Sequence, residues 1–423
     1  MKYFKVFIVI PLLFCLASVP SFGAIFQVNS YEDVNDLTPG NGRCVAYLII
    51  MPPFVFVFCS LRAAIEETNA LPGDDVILLR SGVYSFYKGG SAEDASLTGD
   101  LDITDSLTII GAGADKTFID AKGFDRVFDV VGCNATVVLS GVTIQNGLLP
   151  ADQGSDQQGG GGIRSCGTLY LDDTVITSSE VAGSDPGDMG GGLFNKGTAF
   201  IRRSSIEQNR AGQGGGVANG PEASLEIRAS SLWGNGATNG GGLLNMGSSR
   251  MTNATVSTNS AEPTTSGQGG GIFNQGSLEL IFSTIAQNSA TGGGGIVNQG
   301  SLFPVNTLIA NNPGGDCLLP TGIISQGHNL DTDGTCGLDP ALSDLPSTDP
   351  KLSPLRDHGS PPLPIHAIPP TSPAVNAGTP LSGITTDQRG MTRPRGTGVD
   401  IGAYEASWSP VFPEIMTLLL HQP

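Results

Sequence analysis

Gly240-Gly241-Gly242-Leu243-Leu244-Asn245 is one instance of a pattern that recurs six times: three glycines, an apolar residue, any residue, then a polar one. The other five begin Gly160-Gly161-Gly162-Ile163, Gly190-Gly191-Gly192-Leu193, Gly214-Gly215-Gly216-Val217, Gly269-Gly270-Gly271-Ile272 and Gly293-Gly294-Gly295-Ile296. The polar positions are Ser165, Asn195, Asn219, Asn245, Asn274 and Asn298, and the steps between them are 30, 24, 26, 29 and 24 residues. Self-similarity at a period of about 20–50 residues is the signature of stacked repeats. The chain reads as a solenoid.

A second polar marker follows fourteen residues later: Ser179, Asn209, Asn259, Asn288 and Asn312, with Asn235 in the same series after the insertion Pro221-Glu222. Three residues before each stands an apolar residue: Ile176, Ile206, Leu232, Val256, Ile285 and Ile309. Between the markers run short alternating stretches such as Leu169-Tyr170-Leu171 and Leu278-Glu279-Leu280, the period-two pattern of strands with one buried face. Glycine tolerates positive φ freely and Asn tolerates it well, so the markers fall at bends. Helical repeats are excluded, because glycine costs roughly 1 kcal/mol per residue inside a helix. The expected fold is all-β, a right-handed parallel β-helix of roughly nine or ten coils stacked about 4.8 Å apart. Asn195, Asn219, Asn245, Asn274 and Asn298 would form one side-chain ladder, and Asn209, Asn235, Asn259, Asn288 and Asn312 another.

Composition narrows the function classes. Charged residues make up 14%, glycines number 60 and the net charge is −18. That charge argues against nucleic acid or an anionic membrane as partner and suits an exported, soluble surface. Lys2 and Lys5 precede the apolar run from Val6 to Ala17, and Ser21-Phe22-Gly23 offers a cleavage site. Residues 1–23 therefore read as a secretory signal peptide. No later stretch has the ~20 apolar residues of a membrane span. Beyond Cys15, the six cysteines Cys44, Cys59, Cys133, Cys166, Cys317 and Cys336 allow fifteen pairings. Proximity along the chain favours Cys44–Cys59, Cys133–Cys166 and Cys317–Cys336. The four His residues are scattered and no Cys-x-x-Cys occurs, so neither a metal nor another cofactor is expected.

The flanks carry the resemblances. Val28-Asn29-Ser30, Asp33, Asp36, Pro39-Gly40-Asn41-Gly42, Cys59-Ser60-Leu61-Arg62-Ala63-Ala64-Ile65 and Gly73-Asp74-Asp75-Val76-Ile77 resemble the CSLREA-type domain of bacterial secreted β-helix proteins. The resemblance implies an N-terminal cap over 24–87, with Ala63 replacing the family's Glu. A short helix begun by Ser60 would cover the first open coil, since an uncapped solenoid end exposes strand edges. The apolar insert from Val45 to Phe58 reads as a buried hairpin plugging that end, with a docking patch for a partner or membrane as the alternative. Gly327-His328-Asn329-Leu330, Asp349-Pro350-Lys351-Leu352, Asn376-Ala377-Gly378, Asp387-Gln388-Arg389-Gly390, Arg393-Pro394 and Asp400-Ile401-Gly402-Ala403-Tyr404-Glu405 resemble the choice-of-anchor Q domain. That implies a C-terminal module over 313–405, after a β-helix of 88–312 and before a tail of 406–423. It also implies secretion or attachment at a bacterial cell surface.

Seven and eight residues after the first marker fall Asp172 and Asp173, then Arg202 and Arg203, then Arg228 after its insertion. Stacked on successive coils, carboxylates and guanidinium groups could bind a uronate or assist proton abstraction, or form a plain surface ion ladder. The reading is an exported protein with a non-catalytic adhesion, glycan-contact or structural role. Its partner would be an extracellular polysaccharide or a host or cell-surface glycan. The alternative is a polysaccharide lyase or hydrolase using those five residues. An aromatic row beside them would favour glycan binding or cleavage, and Tyr170 and Trp233 are the candidates. Asp102 and Asp105 read as turn residues. Asp331-Thr332-Asp333-Gly334 resembles the start of a calcium loop but lacks the downstream Glu, and reads as a turn tied by Cys336. Asp387, Arg389 and Arg393 are expected to form an ion pair with Asp400 or Glu405.

Overall fold

A computed structural model describes residues 23–90, 93–150, 159–183, 187–261, 267–357 and 363–407. The expected signal peptide, up to residue 22, and the expected tail from 408 onward lie outside the described residues. The alternating stretches become strands of three long parallel sheets. Sheet 1 has ten strands, from Ile25–Gln27 to Ser301–Val305. Sheet 2 has ten, from Gly82–Ser85 to Leu330–Asp331, and sheet 3 has nine, from Leu101–Ile103 to Cys317–Leu318. One coil visits each sheet once. Leu243–Asn245 lies in sheet 3, Ser248–Thr252 in sheet 1 and Thr255–Ser257 in sheet 2. This is a parallel β-helix, right-handed as parallel crossovers are. The sheets run past both ends of 88–312: Asp75–Leu78 and Leu330–Asp331 are also coil strands.

Alternation fixes what faces inward. Leu171, Ile201, Ile227, Met251 and Leu280 form one internal column, and Ile176, Ile206, Leu232, Val256 and Ile285 a second; Ile163, Leu193, Val217, Leu243 and Ile272 form a third. Every one of these side chains is at most 1% exposed. The two Asn series are buried at the corners. In the first, Asn195 Nδ2 donates to Asn219 Oδ1, which begins a chain through Asn245 and Asn274 to Asn298. In the second, each Oδ1 accepts the backbone N–H of the marker one coil earlier, and each Nδ2 donates to a carbonyl of that coil.

The N-terminal end is closed by α1 (Leu61–Ala70), whose N-cap Ser60 accepts from the Ala63 N–H. Ala63, Ala64 and Ile65 enter the same core as the coils. Arg62 is buried, pairs with Asp33 at 2.6 Å and donates to the carbonyls of Ser96, Gly99 and Asp100. The insert does form a hairpin, Tyr47–Met51 with Phe54–Phe58, but it is not a buried plug. Leu48, Ile49, Ile50, Met51, Phe54, Val55, Phe56 and Val57 are 44–67% exposed. Because α1 already occupies the open end, the hairpin projects outward. Its base is held by the Cys44–Cys59 disulfide and by the stacked rings of Tyr47 and Phe58, 4.6 Å apart. Disulfides also join Cys133 to Cys166 and Cys317 to Cys336. No helix among the described residues is long and apolar enough to cross a membrane.

The C-terminal segment lies along the outer face of sheet 2. Gln388 bonds Ser231 and Thr255, His366 Nε2 bonds Ser257 Oγ at 2.8 Å, and the Ala403 N–H donates to Thr284 Oγ1. Arg393 pairs with Glu405 at 2.8 Å and lies over the Phe282 ring, whereas Arg389 pairs with Asp387. Burial holds His366 below its ordinary pKa. The unfolded chain therefore takes up that proton first, and the histidine's contribution to stability is lost as pH falls below about 6.5. Burial raises the Asp400 carboxyl to about 6, which acts in the opposite sense: its contribution is lost as pH rises through that value. The readout is therefore the difference between wild type and His366→Gln. The wild type is expected to lose more melting temperature than the variant between pH 7 and pH 5; equal losses would refute the assignment.

Candidate functional site

Of the three outer faces, that of sheet 2 is covered by another segment, and that of sheet 3 is apolar and packed on itself among the described residues. Sheet 2 lies under the C-terminal segment from Ser231 to Ala310. On sheet 3 the outward residues Ala218, Leu244, Phe273 and Val297 are at most 6% exposed and pack with Met189, Phe194 and Met246. Sheet 1 stays open from Thr168–Asp172 onward.

Its strands stack in register, so outward residues form columns. The central column reads Tyr170, Phe200, Glu226, Arg250, Glu279, Phe303. Beside it runs Asp172, Arg202, Arg228, Thr252, Ile281, Val305. Six strands at about 4.8 Å give a face roughly 24 Å long. Tyr170 and Phe200 are half-buried and stacked, with centroids 4.7 Å apart and planes within 11°. The Arg202 guanidinium lies 5.5 Å from the Phe200 ring and 5.9 Å from the Tyr170 ring. Further along, Arg250 pairs with Glu279 at 2.5 Å. There the loop Leu381–Ser382–Gly383–Ile384 rises beside the sheet and walls a groove of about 520 Å³, floored by Glu226, Arg228, Arg250, Thr252 and Glu279.

Asp172, Arg202 and Arg228 thus occupy consecutive rungs. Asp173 and Arg203 sit one residue on, at the corner where the backbone takes φ of 50° and 46°. Arg203 grips both oxygens of Asp173, at 2.9 and 2.7 Å, and stands 3.8 Å from Asp172. The pair is exposed and raises the arginine pKa further; such pairs contribute about 0–1 kcal/mol. Among the described residues Arg202 and Arg228 have no carboxylate partner within 4 Å. A carboxylate held by a counter-charge, as Asp173 is by Arg203, is a weaker base for proton abstraction. The described geometry instead offers two unspent guanidinium groups beside an aromatic platform.

Sequence reasoning missed Phe200, Glu226, Arg250 and Glu279; the signal was their offset of five residues from the first Asn marker, or seven for Glu226 after the Pro221-Glu222 insertion. Trp233 is not beside Tyr170. It belongs to sheet 2, where its Nε1 donates to Glu207 at 2.8 Å, and burial raises the Glu207 carboxyl. Asp331 accepts from the Cys336 and Ser347 N–H groups and so closes a turn. Asp102 is no turn residue: it is the centre of the strand Leu101–Ile103 and is fully buried, because Ser96 of the preceding loop folds over it.

No family model matches the chain, and no curated protein matches it. Among solved structures it is similar to pectate lyase Pel9A, at 14% identity over 92% of this chain and 97% of that chain, with a TM-score of 0.41.

Proposed function

We propose that the chain is an exported β-helix protein that holds an acidic polysaccharide along the open face of sheet 1 without cleaving it. The observation that carries this reading is the Tyr170–Phe200 stack set beside Arg202 and Arg228 on the long polar and aromatic face of sheet 1. An aromatic face receives the apolar side of a sugar ring, and an unpaired guanidinium receives a uronate carboxylate in bidentate fashion. The leader pattern and three disulfides support an oxidising, extracytoplasmic setting. The flanking modules, read as CSLREA-type and choice-of-anchor Q, fit display at a bacterial surface or release from it.

Cleavage is the competing reading, and one experiment separates the two. The disulfide-bonded chain is incubated with neutral and uronate-rich polysaccharides; binding is measured by calorimetry and polymer length by size-exclusion chromatography. The uronate-rich polymers are expected to bind and to keep their length. Arg228→Ala should weaken binding about tenfold, since a hydrogen bond to a charged group is worth about 1.5–3 kcal/mol. Shortened polymer, with shortening abolished by Asp172→Ala and Asp173→Ala, would establish the lyase or hydrolase instead. No binding to any polymer would refute glycan contact.

A further inference from the structure

The outward column of sheet 3 begins with Asp102, which sits directly opposite Asp129 on the neighbouring strand. Like charges at opposed positions of paired strands destabilise the pair, and both residues are at most 1% exposed. The next rung, Arg164, grips Asp129 through Nε and Nη2. Arg126 pairs with Asp100 and stands 3.8 Å from Asp129. Asp94, at the exposed rim, brings a carboxylate oxygen within 4.8 Å of oxygens of Asp102 and Asp129. Counting Asp125, which accepts from the Arg126 N–H, the carboxylates of this corner outnumber its arginines.

The decisive atom is Asp102 Oδ1. Its partner oxygen Oδ2 accepts from the Ser96 N–H at 2.8 Å, but Oδ1 is buried with no hydrogen-bond partner. An unpartnered carboxylate oxygen costs a large desolvation penalty. We infer that Asp94, Asp102 and Asp129 form a binding site for a divalent cation of the calcium class, which clamps the 93–99 loop onto the first two strands of sheet 3. The donors are all carboxylate oxygens, with no His or Cys among them. That set selects a hard cation over zinc or copper. Calcium, with flexible coordination at 2.3–2.6 Å, suits oxygens that already converge from two strands and a loop. Arg164 competes for Asp129, so affinity should fall in the weak extracellular range of about 10⁻⁴–10⁻³ M.

The test uses the full disulfide-bonded chain, stripped with EDTA and titrated with calcium chloride alone. Calorimetry should show one calcium per chain. Saturating calcium should raise the melting temperature by about 2 °C or more, beyond what sodium chloride of equal ionic strength produces. Asp94→Asn, at an exposed position, should weaken binding at least the ~10-fold typical of losing even an outer-shell partner. Asp102→Asn should abolish the calcium-dependent shift, while melting in EDTA no lower than wild type, because it removes the opposed charge. A calcium response no larger than that of sodium would overturn the site. So would variants that bind calcium as tightly as the wild type.

Discussion

Gly241→Ala is expected to destabilise the β-helix by about 3 kcal/mol or more, at the upper end of overpacking effects. The three glycines of each tract are required for different reasons. Gly240 adopts φ +65°, where a side chain costs roughly 1–2 kcal/mol. Gly241 has no such conformation. A Cβ there would stand 2.4 Å from Gly270 O and 2.5 Å from Ser260 O, both backbone atoms. Gly242 would place its Cβ 2.7 Å from Gly271 O and 3.0 Å from Asn259 Nδ2. Backbone of the adjacent coil cannot retreat like a flexible side chain, so the alanine must part the stack. Gly234→Ala is the matched control. Its φ is +66°, but the nearest atom to a Cβ is Gln208 Cγ at 3.6 Å, so it should show only the conformational cost. Denaturation followed by circular dichroism gives the comparison. Because coils touch only their neighbours, hydrogen exchange should quicken first around Gly241 and Gly270. Equal costs for the two variants would refute the close-approach account.

This explains why the architecture was readable from the chain while the open face was only partly so. The glycine and Asn markers are local backbone demands imposed again on every coil, so they recur at fixed offsets, and those offsets align Asp172 with Arg202 and Arg228. Which outward residues remain exposed is not a local property. Tyr170 and Trp233 look alike in sequence, but one lies on sheet 1 and the other on sheet 2. The hairpin's apolar composition suggests burial, yet its exposure follows from α1 having filled the end of the core first. Asp102 shows the converse: an aspartate beside a strand usually marks a turn, and here the loop just before the strand folds back and buries it in the strand itself.

Asn259→Ala should cost about 3 kcal/mol, and the reason lies in what the side chain does for the backbone. At the preceding residue, Thr258, the chain turns with φ 54°, and strand pairing is interrupted at that corner. Asn259 replaces it. Its Oδ1 accepts the Asn235 N–H at 3.0 Å, and its Nδ2 donates to Leu232 O at 3.0 Å. The alanine orphans the Asn235 N–H inside a corner where Asn259 is fully buried, at about 1–3 kcal/mol. It also takes from Leu232 O one of its two donors, since that carbonyl keeps its place in the sheet 2 ladder, at about 1 kcal/mol more. Asn288 Oδ1 keeps the Asn259 backbone N–H, and Asn235 Nδ2 keeps Ile206 O, so the one group left without a partner is the Asn235 N–H. Asn259→Asp separates donor from acceptor. The ionised aspartate still accepts from Asn235 but turns a lone pair toward Leu232 O and Asn288 Oδ1, which now repel it. Protonated, it can donate again. Its stability relative to wild type should therefore rise as pH falls from 7 to 4, opposite to the usual effect of acid on a buried carboxylate that is well paired. Melting of the alanine and aspartate variants across that range decides the matter. A pH-independent difference between Asn259→Asp and wild type would mean that the Nδ2 donors contribute nothing and that the ladder holds the coils by packing alone.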